Sequence, residues 1–270
     1  MIDMNATPTM DSVSHLPVWL LNSLRDPETK ELLKFSENRL TGSGGRVYPI
    51  IDGVPSLVYP PTLGGLDEKM NRLYRWLAPF YDLNERFFGR IFAGQDMLEG
   101  RSSIVDLLHL SHGIRLLEIS PGPGVFQKLL RSAIADNGEL VSVDLSLPML
   151  RQCQSIQHTT RALLVHANGA YLPFADETFD ALFHFGGVNL FSEPERAVDE
   201  FVRVVKHGGI VAYGDEGFAE GYPESWRKKA LSRMNPGFLR KRPSVPARLS
   251  SVVEHVVYGG LGYLVVGRRE

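Results

Sequence analysis

The stretch "RLLEISPGPGVFQKLL", residues 115–130, decides the fold class of this 270-residue chain. A short apolar run ends at Ile119, a turn containing Gly122 and Gly124 follows, and apolar residues then recur at helical spacing. A strand, a glycine turn and a helix in this order open the ligand-binding side of many α/β sheets. The stretch therefore predicts a cradle for a small ligand at the end of a strand.

The turn departs from the usual glycine pattern. Ser120 stands where the first glycine is expected, and it can serve there if its φ is negative. Pro121 and Pro123 lack an N–H donor and restrict the backbone, which lowers the entropy lost on binding. The donors that remain are those of Ser120, Gly122, Gly124 and Val125. We interpret the turn as a stiffened, working ligand loop.

The rest of the chain repeats the alternation of strand and helix. Such alternation predicts a mostly parallel sheet with helices on both faces. The last two apolar runs are separated only by "GGLG", which is too short for a crossover and predicts an antiparallel hairpin. The predicted strands are 114–119, 139–144, 161–166, 180–185, 209–214, 252–258 and 262–269, and helices are predicted near 125–135, 147–157 and 194–206.

The part of the chain before this alternation divides into three regions. Residues 1–14 are polar and are expected to be a disordered tail. Short apolar runs separated by turns predict a small β-rich domain over 15–62. The α/β domain then covers 63–270 and begins with an aromatic, helical region between Asp67 and Leu110, which we interpret as a helical cap.

Composition excludes several classes of protein. An apolar share of 43% supports a real core, and a net charge of −2 gives no global attraction for nucleic acid or acidic membrane. Cys153 is the only cysteine, and no leader or membrane span is evident, so a reducing cytoplasm is the expected location.

The chemistry of the ligand follows from the loop and its acidic partner. Asp144 ends the next predicted strand about twenty residues beyond the turn, where a carboxylate reaches the hydroxyls of a ribose. No lysine followed by Ser or Thr comes after the glycines, which excludes a P-loop. Gln127 stands where a dinucleotide fold needs a third glycine. The pattern favours a ligand with a ribose and a carboxylate but no pyrophosphate, such as S-adenosylmethionine.

Four stretches in sequence order, "LLEISPGPG", "VSVDLSLPML", "NGAYLPFADETFDALF" and "EFVRVVKHGGIVAY", resemble the motifs of class I S-adenosylmethionine-dependent methyltransferases. The nearest type is the ubiquinone and menaquinone biosynthesis group. The resemblance implies a Rossmann-like sheet, with Asp144 on the ribose and Asn168, in place of a usual aspartate, at the adenine amino group. The cofactor-binding residues that it implies are Glu118, Ser120, Gly122, Gly124, Asp144, Leu145, Asn168, Gly169, His184 and Phe185.

The region in front of this domain resembles the small zinc-ribbon-like domain that precedes some methyltransferases. Where the metal-binding versions carry C-x-x-C, this chain has "DPET", Asp26 to Thr29. Because no thiolates are present there, we predict that the domain holds no metal.

Catalytic candidates lie where strand ends open onto the expected pocket. Methyl transfer from a sulfonium needs mainly alignment and a dry site, with a base only if the acceptor must lose a proton. The candidates are His184, Asn189, Asp215 and Glu216, together with Tyr81 in the helical cap. Each has an ordinary alternative, because the acids can cap a turn, His184 can be a core histidine and Tyr81 can simply pack.

The helical cap resembles the substrate lid of the methyltransferase family, which implies that some of Phe87, Phe88 and Phe92 line the acceptor pocket and that the acceptor is a small, apolar or aromatic metabolite. The segment 226–248 is basic and acid-free, and Trp226, Ala230 and Met234 form an apolar stripe in it, so it can recruit an anionic, carrier-bound or membrane-dissolved acceptor. Two alternatives stay open: a ribosomal RNA base methyltransferase, which the acidic pI disfavours, and a non-catalytic, cofactor-binding partner subunit.

Overall fold

The computed structural model of the protein describes residues 16–36, 39–77, 97–234 and 236–270. Two sheets organise these residues, one of four strands and one of seven. The strands of the small sheet are β1 (Lys34–Ser36), β2 (Arg39–Thr41), β3 (Val47–Ile51) and β4 (Val54–Pro55). The strands of the large sheet are β5 (Arg115–Ile119), β6 (Glu139–Asp144), β7 (Leu163–His166), β8 (Phe179–Phe185), β9 (Val205–Glu216), β10 (Leu249–Val257) and β11 (Gly262–Arg269).

The large sheet has the order β10-β11-β9-β8-β5-β6-β7. Strands β5 to β9 pair in parallel, whereas β11 lies antiparallel between β9 and β10. The predicted Rossmann-like sheet with an antiparallel C-terminal hairpin is therefore confirmed. The strand order reverses at β5, since β6 lies on one side of it and β8 on the other. This reversal leaves a crevice at the carboxyl ends of the strands, which is the usual position of a ligand in an open α/β sheet.

Helices cover both faces of this sheet. Those between the parallel strands provide the right-handed crossovers that parallel pairing requires. In chain order the helices are α1 (Val18–Ser23), α2 (Gly65–Leu77), α3 (Met97–Asp106), α4 (Gln127–Ile134), α5 (Leu147–Ser155), α6 (Gln157–Thr160), α7 (Pro194–Val204) and α8 (Trp226–Met234). Within the described ranges, no helix is long and apolar enough to cross a membrane.

The small N-terminal sheet packs on the large one. Leu20, Leu24 and Leu57 are completely buried in the same apolar cluster as residues of β5, β6 and β8. The backbone N–H of Arg25 donates to Pro173 O at 2.9 Å, and that of Leu57 donates to His166 O at 2.8 Å. The segments on either side of the small sheet thus share one core with the large sheet. The division at residues 62 and 63 into two domains stays a prediction.

The predicted helical cap is described only in part. Helices α2 and α3 lie at its two ends, and positions 78–96 between them fall outside the described residues, as does the predicted tail 1–14. The predicted catalytic Tyr81 and the acceptor-pocket residues Phe87, Phe88 and Phe92 belong to that undescribed part.

Candidate functional site

A cavity opens at the carboxyl ends of β5, β6, β8 and β9. Its walls combine apolar side chains with backbone of the glycine turn, and helix α2 covers one side. The lining residues are Asp67, Met70, Glu118, Ile119, Ser120, Pro121, Gly122, Val125, Phe126, Asp144, Leu145, Ser146, Met149, Phe183, Phe185, Gly186, Gly187, Leu190, Phe191, Asp215, Glu216 and Gly237. A smaller cavity, bordered also by Asn168 and Gly169, adjoins it.

The charges around the main cavity have one sign. Its lining contains five carboxylates, those of Asp67, Glu118, Asp144, Asp215 and Glu216, and the described lining contains no lysine, arginine or histidine. Carboxylates concentrated in a partly dry cleft favour a cation and disfavour phosphate. The site therefore fits a cationic sulfonium and does not fit a pyrophosphate.

Asp144 ends β6 beside the glycine turn and lines both cavities. Its Oδ1 accepts the Ser146 N–H at 2.8 Å, and its Oδ2 accepts the Gly122 N–H at 3.3 Å. Burial raises the pKa of this carboxyl to about 7 despite those hydrogen bonds. The structure thus holds Asp144 in the place predicted for the ribose acid, with acceptor capacity left on both oxygens.

The N-terminal unit, residues 16–62, is connected to the backbone beside Asp144 through His166, the last residue of β7. Leu145 O lies 3.1 Å from His166 Nε2, and a carbonyl can only accept, so Nε2 carries the proton. Burial lowers the pKa of His166, so the ring is neutral and its Nδ1 accepts the Ser56 hydroxyl at 2.8 Å. Ser56 follows β4 directly. The small sheet therefore supports the backbone of Leu145, next to Asp144.

Glu118 occupies the end of β5, as predicted, and faces the cavity. Its Oε2 accepts the Ser142 hydroxyl at 2.7 Å, and Ser142 Oγ in turn accepts the Gln127 side-chain amide at 3.0 Å. Burial raises the pKa of Glu118 to about 7. Gln127 stands in place of the third glycine of a dinucleotide fold. Its hydrogen bond to Ser142 thus links the first turn of α4 to β6 and, through Glu118, to β5.

The backbone of the glycine turn differs from the prediction at Ser120. Its φ is +54°, in the left-handed region, so the condition of a negative φ, under which a serine replaces the first glycine without strain, is not met. The chain must turn sharply there because the Ser120 N–H still completes the sheet by donating to Val143 O at 2.7 Å. A residue with a Cβ is strained in this conformation. Ser120 nevertheless lines both cavities.

This strain predicts that Ser120→Gly stabilises the protein. Relief of a left-handed non-glycine residue is worth about 1 kcal/mol, of which the greater entropy of unfolded glycine cancels part. We expect a net gain of about 0.5 kcal/mol in urea unfolding. Ser132→Gly, on the exposed face of α4, is the control and should lose about 0.5 kcal/mol. A loss of stability in Ser120→Gly would contradict the strain.

Three of the four predicted N–H donors of the turn are used inside the protein. Besides Ser120, the N–H of Gly122 donates to Asp144, and that of Gly124 donates to Pro121 O at 3.0 Å. Only Val125 lacks a described protein acceptor. A ligand carboxylate would therefore be held by fewer backbone donors than the sequence suggested.

The two glycines of the turn have different roles. Gly122 has a φ of +57°, lines the cavity and has open space where a side chain would project. Gly124 has a φ of +92°, but a Cβ there would lie 2.7 Å from the side chain of Ile156. Because residue 124 has no side chain, α4 can pack against the segment after α5. Gly124 does not line either cavity.

The smaller cavity is lined by Asn168, the residue predicted to meet the adenine. Asn168 Oδ1 accepts the Ala170 N–H at 3.0 Å, so it starts the turn that follows β7, and Asn168 Nδ2 donates to Asp67 Oδ2 at 3.3 Å. The predicted amide oxygen is therefore already engaged. A Cβ on Gly169 would lie 2.7 Å from the Phe191 ring, so only glycine allows that ring to close the cavity.

Adjacent residues of β8 separate into two environments. Phe183 and Phe185 line the main cavity, whereas His184 is fully buried on the other face of the strand. His184 Nδ1 is 3.0 Å from Ile119 O, and the ring packs against Phe191 and Phe201. Burial lowers the pKa of His184 to about 4. This position favours a core role over the predicted catalytic and cofactor contacts.

Asp215 and Glu216, the two acids at the end of β9, also lie in different environments. Asp215 accepts the backbone N–H groups of Gly187, Asn189 and Glu216 at 2.7–2.8 Å, so it caps the turn after β8. Asn189 is buried, and its Oδ1 accepts the Tyr263 hydroxyl at 3.0 Å. Asn189 does not line the described cavities, so its position favours structural support. Glu216 is exposed on the cavity wall.

The "DPET" turn of the N-terminal unit is organised by hydrogen bonds. Asp26 Oδ1 accepts the N–H groups of Glu28 and Thr29 at 2.9 and 3.1 Å, and Oδ2 accepts the Tyr48 hydroxyl at 2.9 Å. The buried Asp26 carboxylate thus holds this turn and Tyr48 together. The likeness of residues 15–62 to a zinc-ribbon domain stays a prediction.

The absence of metal also stays a prediction, although the described residues contain no group of three or more ligating side chains. We expect less than stoichiometric zinc by elemental analysis of the purified protein, and no change of melting temperature with chelator. One bound zinc per chain, or a lower melting temperature with chelator, would contradict this prediction.

The sequence analysis missed a set of cavity residues. Phe183 could have been found because it shares a strand face with Phe185, two positions away. Gly186 and Gly187 follow β8 with φ values of +92° and +97°. The other missed residues include Met70, Phe126, Met149, Leu190, Phe191 and Gly237.

Comparison with known proteins agrees with this geometry. Residues 117–213 match the methyltransferase domain family. A demethylmenaquinone methyltransferase of Roseiflexus sp. (strain RS-1) is 33% identical over 145 residues, which are 54% of this chain and 59% of that protein. The chain thus spans less than two thirds of the length of this relative.

Solved methyltransferases share the fold. The phosphoethanolamine N-methyltransferase 2 of Haemonchus contortus, in complex with S-adenosylmethionine, matches with a TM-score of 0.58 and 14% identity over 80% of this chain and 61% of that one. An S-adenosylmethionine-dependent methyltransferase from Thermotoga maritima matches with a TM-score of 0.51 and 21% identity over 73% of this chain and 99% of that one. Residues 117–213 are therefore similar in sequence to methyltransferase domains, and the large sheet has the fold of S-adenosylmethionine-dependent methyltransferases.

Proposed function

We propose that the protein transfers the methyl group of S-adenosylmethionine to a small, apolar or aromatic acceptor. The observation that carries the proposal is the cavity itself, in which an acid at the end of β6 and an all-acidic set of charges stand beside aromatic walls. The sulfonium supplies an activated methyl group, so the protein has to align the reactants and exclude water.

The two ends of the cavity support different parts of the reaction. Asp144, Leu145 and the adjoining smaller cavity would hold the nucleoside, and Glu118 with the glycine turn would face the amino acid part. Phe126, Phe183 and Phe185 lie beside that region. Phe126 contacts the other two rings at centroid distances of 5.0 and 5.9 Å. This aromatic wall would hold a planar, apolar acceptor.

Glu216 is the residue we propose as general base, should the acceptor need to lose a proton. Its carboxylate stands at the end of β9, is exposed and lines the cavity wall. A base must reach the acceptor from the protein side. Tyr81, outside the described residues, stays a second candidate.

The relatives suggest the acceptor class to test first. We propose a reduced quinone with an unsubstituted ring position, because several relatives are named demethylmenaquinone methyltransferases. Purified protein would be incubated with methyl-labelled S-adenosylmethionine and a demethylated naphthoquinol in detergent, and labelled product would be measured. Glu216→Gln should lose turnover while retaining S-adenosylhomocysteine binding, and Asp106→Asn, at an exposed acid outside the cavity, is the control.

The outcomes separate the proposal from its alternatives. Binding of S-adenosylhomocysteine without turnover of quinols, phenols or amines would favour the non-catalytic partner subunit. Methylation of ribosomal RNA instead of small acceptors would favour the nucleic-acid alternative. Failure of the protein to bind S-adenosylhomocysteine would contradict the proposal altogether.

We further propose that the basic segment 226–248 recruits the acceptor at an anionic surface. Trp226 and Met234 on α8 are 72% and 49% exposed, beside Lys229 and Arg233, while Leu231 anchors the helix. An apolar stripe next to cations is typical of helices that rest on anionic membranes. Gly237, three positions after the end of α8, lines the cavity. The surface and the site are therefore contiguous.

The recruitment proposal predicts a salt-dependent loss of vesicle binding. Arg240 and Arg242 are poor positions for the test, because Arg240 donates to Asn189 O and Arg242 contacts Glu254 and the Tyr263 ring. Lys229→Ser, Arg233→Ser and Lys241→Ser combined should weaken binding to phosphatidylglycerol vesicles about tenfold at low salt and little at high salt. Lys34→Ser with Lys128→Ser is the control. Unchanged vesicle binding would contradict recruitment.

A further inference from the structure

The junction of the two cavities holds a carboxylate that comes from outside the sheet. Asp67 lies in the first turn of α2 and lines both cavities. It is held by a reciprocal pair of bonds with Ser192, in which the Ser192 N–H donates to Oδ1 at 2.8 Å and the Asp67 N–H donates to Ser192 Oγ at 3.0 Å. The second oxygen, Oδ2, is therefore left to face Asn168.

The orientation of Asn168 is also fixed. Its side chain is 3% exposed, and Oδ1 accepts the Ala170 N–H at 3.0 Å, so Nδ2 must face the cavity and Asp67 Oδ2, 3.3 Å away. The edge of the smaller cavity thus presents one strong acceptor, Asp67 Oδ2, beside one donor, Asn168 Nδ2.

We propose that Asp67 and Asn168 together read the base of the cofactor and select adenine over its 6-oxo analogue. The edge of adenine offers an N6 amino donor beside the N1 acceptor, which complements a carboxylate beside an amide N–H. Hypoxanthine offers an O6 acceptor beside an N1–H donor, which places oxygen against the Asp67 carboxylate and N–H against N–H. In this arrangement Asp67 supplies the carboxylate that position 168 lacks. The inference rests on the proposed function.

The first test compares S-adenosylhomocysteine with S-inosylhomocysteine by isothermal titration. A matched pair of hydrogen bonds discriminates between bases by about 1–3 kcal/mol, so the wild type should prefer the adenine ligand about thirtyfold. In Asp67→Asn, Ser192 keeps the side-chain oxygen as its acceptor, so the new NH₂ group faces the base. This variant should lose the preference or favour the 6-oxo ligand. Glu68→Gln, an exposed neighbour on α2, is the control and should keep the preference.

A second variant keeps the test decisive if Asp67→Asn folds poorly. In Asp67→Asn combined with Asn168→Asp, the Ala170 and Ser192 N–H groups again fix one oxygen each, and the donor and acceptor simply exchange positions. The double variant should invert the preference and bind S-inosylhomocysteine at least fivefold more tightly than S-adenosylhomocysteine, because its donor now faces O6 and its acceptor faces N1–H.

The outcomes distinguish this inference from the proposed function. If the wild type does not bind S-adenosylhomocysteine, the function itself fails. If it binds but Asp67→Asn weakens both ligands equally, or keeps a thirtyfold preference, Asp67 does not read the base. Loss of preference in Asp67→Asn with inversion of the preference in the double variant supports the inference, and a double variant that still prefers the adenine ligand contradicts it.

Discussion

Replacing Asp144 by alanine is expected to weaken S-adenosylmethionine binding about thirtyfold, because a charge-assisted hydrogen bond to the ribose hydroxyls is worth about 2 kcal/mol. Asp144 already accepts two backbone N–H groups, from Ser146 and Gly122, so its carboxylate is held in place before the ligand arrives. Isothermal titration measures the effect. Asp106→Ala, at an exposed acid outside the described cavities, is the control and should bind like the wild type.

The pKa of Asp144 adds a pH dependence to this prediction. Burial raises the pKa to about 7, so about a tenth of the carboxyl is ionised at pH 6 and about nine tenths at pH 8. Ribose hydroxyls donate best to the ionised form, so affinity for S-adenosylhomocysteine should rise about tenfold between these pH values. Asp144→Asn should lower this slope. The buried Glu118 beside it also has a raised pKa and can supply a residual slope.

The same shift predicts the opposite trend for stability. The folded-state pKa of Asp144 is about 7, whereas its ordinary value is 3.8. Between these two pKa values the folded protein holds a proton that the unfolded chain has lost. The free energy of unfolding should therefore fall as the pH rises from about 4 to about 7. Asp144→Asn should reduce this fall. Thirtyfold weaker binding without either pH effect would assign the loss to shape rather than charge.

The sequence predicted the sheet because its signals are local. Strands β5, β6 and β8 are compact apolar runs bounded by turn residues, and the four-residue connection before β11 could only form a hairpin. The position of Asp144 followed from the same pattern, since an acid at a strand end lies at the carboxyl edge of the sheet. The prediction did not establish which face of the sheet each side chain lies on. His184 was placed beside Phe185, although neighbouring residues on a strand point to opposite sides.

Other features of the site could not be read from local patterns. Asp67 and Ser192 are 125 positions apart, and no periodicity indicates that the first turn of α2 lines both cavities. The positive φ of Ser120 is also a tertiary effect, since sheet pairing and the turn together force it. The N-terminal unit, predicted only as a small β-rich domain, supports the Leu145 backbone through Ser56 and His166.

A second long-range link joins the N-terminal unit to helix α7. Glu200 is 7% exposed and accepts the Lys30 ammonium at 2.7 Å through Oε2 and the Arg203 guanidinium at 2.6 Å through Oε1. Arg203 also donates to the carbonyls of Phe174 at 2.7 Å and Leu172 at 3.1 Å. One buried carboxylate thus balances two cations at the junction, and the cations lower the pKa of Glu200 despite its burial.

Replacing Glu200 by alanine is therefore expected to lower the free energy of unfolding by about 3 kcal/mol, because two partly buried cations lose their shared counter-charge. Urea unfolding measures the loss. Asp176→Ala is the matched control, since Asp176 contacts the same Arg203 at 2.7 Å but is 67% exposed, and it should cost less than about 1 kcal/mol.

The sign of the pH effect identifies the mechanism. A lowered folded-state pKa stabilises the protein above the ordinary glutamate value of 4.5, and that contribution is lost as the pH falls through the folded pKa. The difference in unfolding free energy between the wild type and Glu200→Gln should therefore shrink below about pH 4.5. If the difference stays constant with pH, Glu200 acts by packing alone. If Glu200→Ala costs no more than Asp176→Ala, the junction does not depend on this carboxylate, and the small sheet is held to α7 by its apolar contacts.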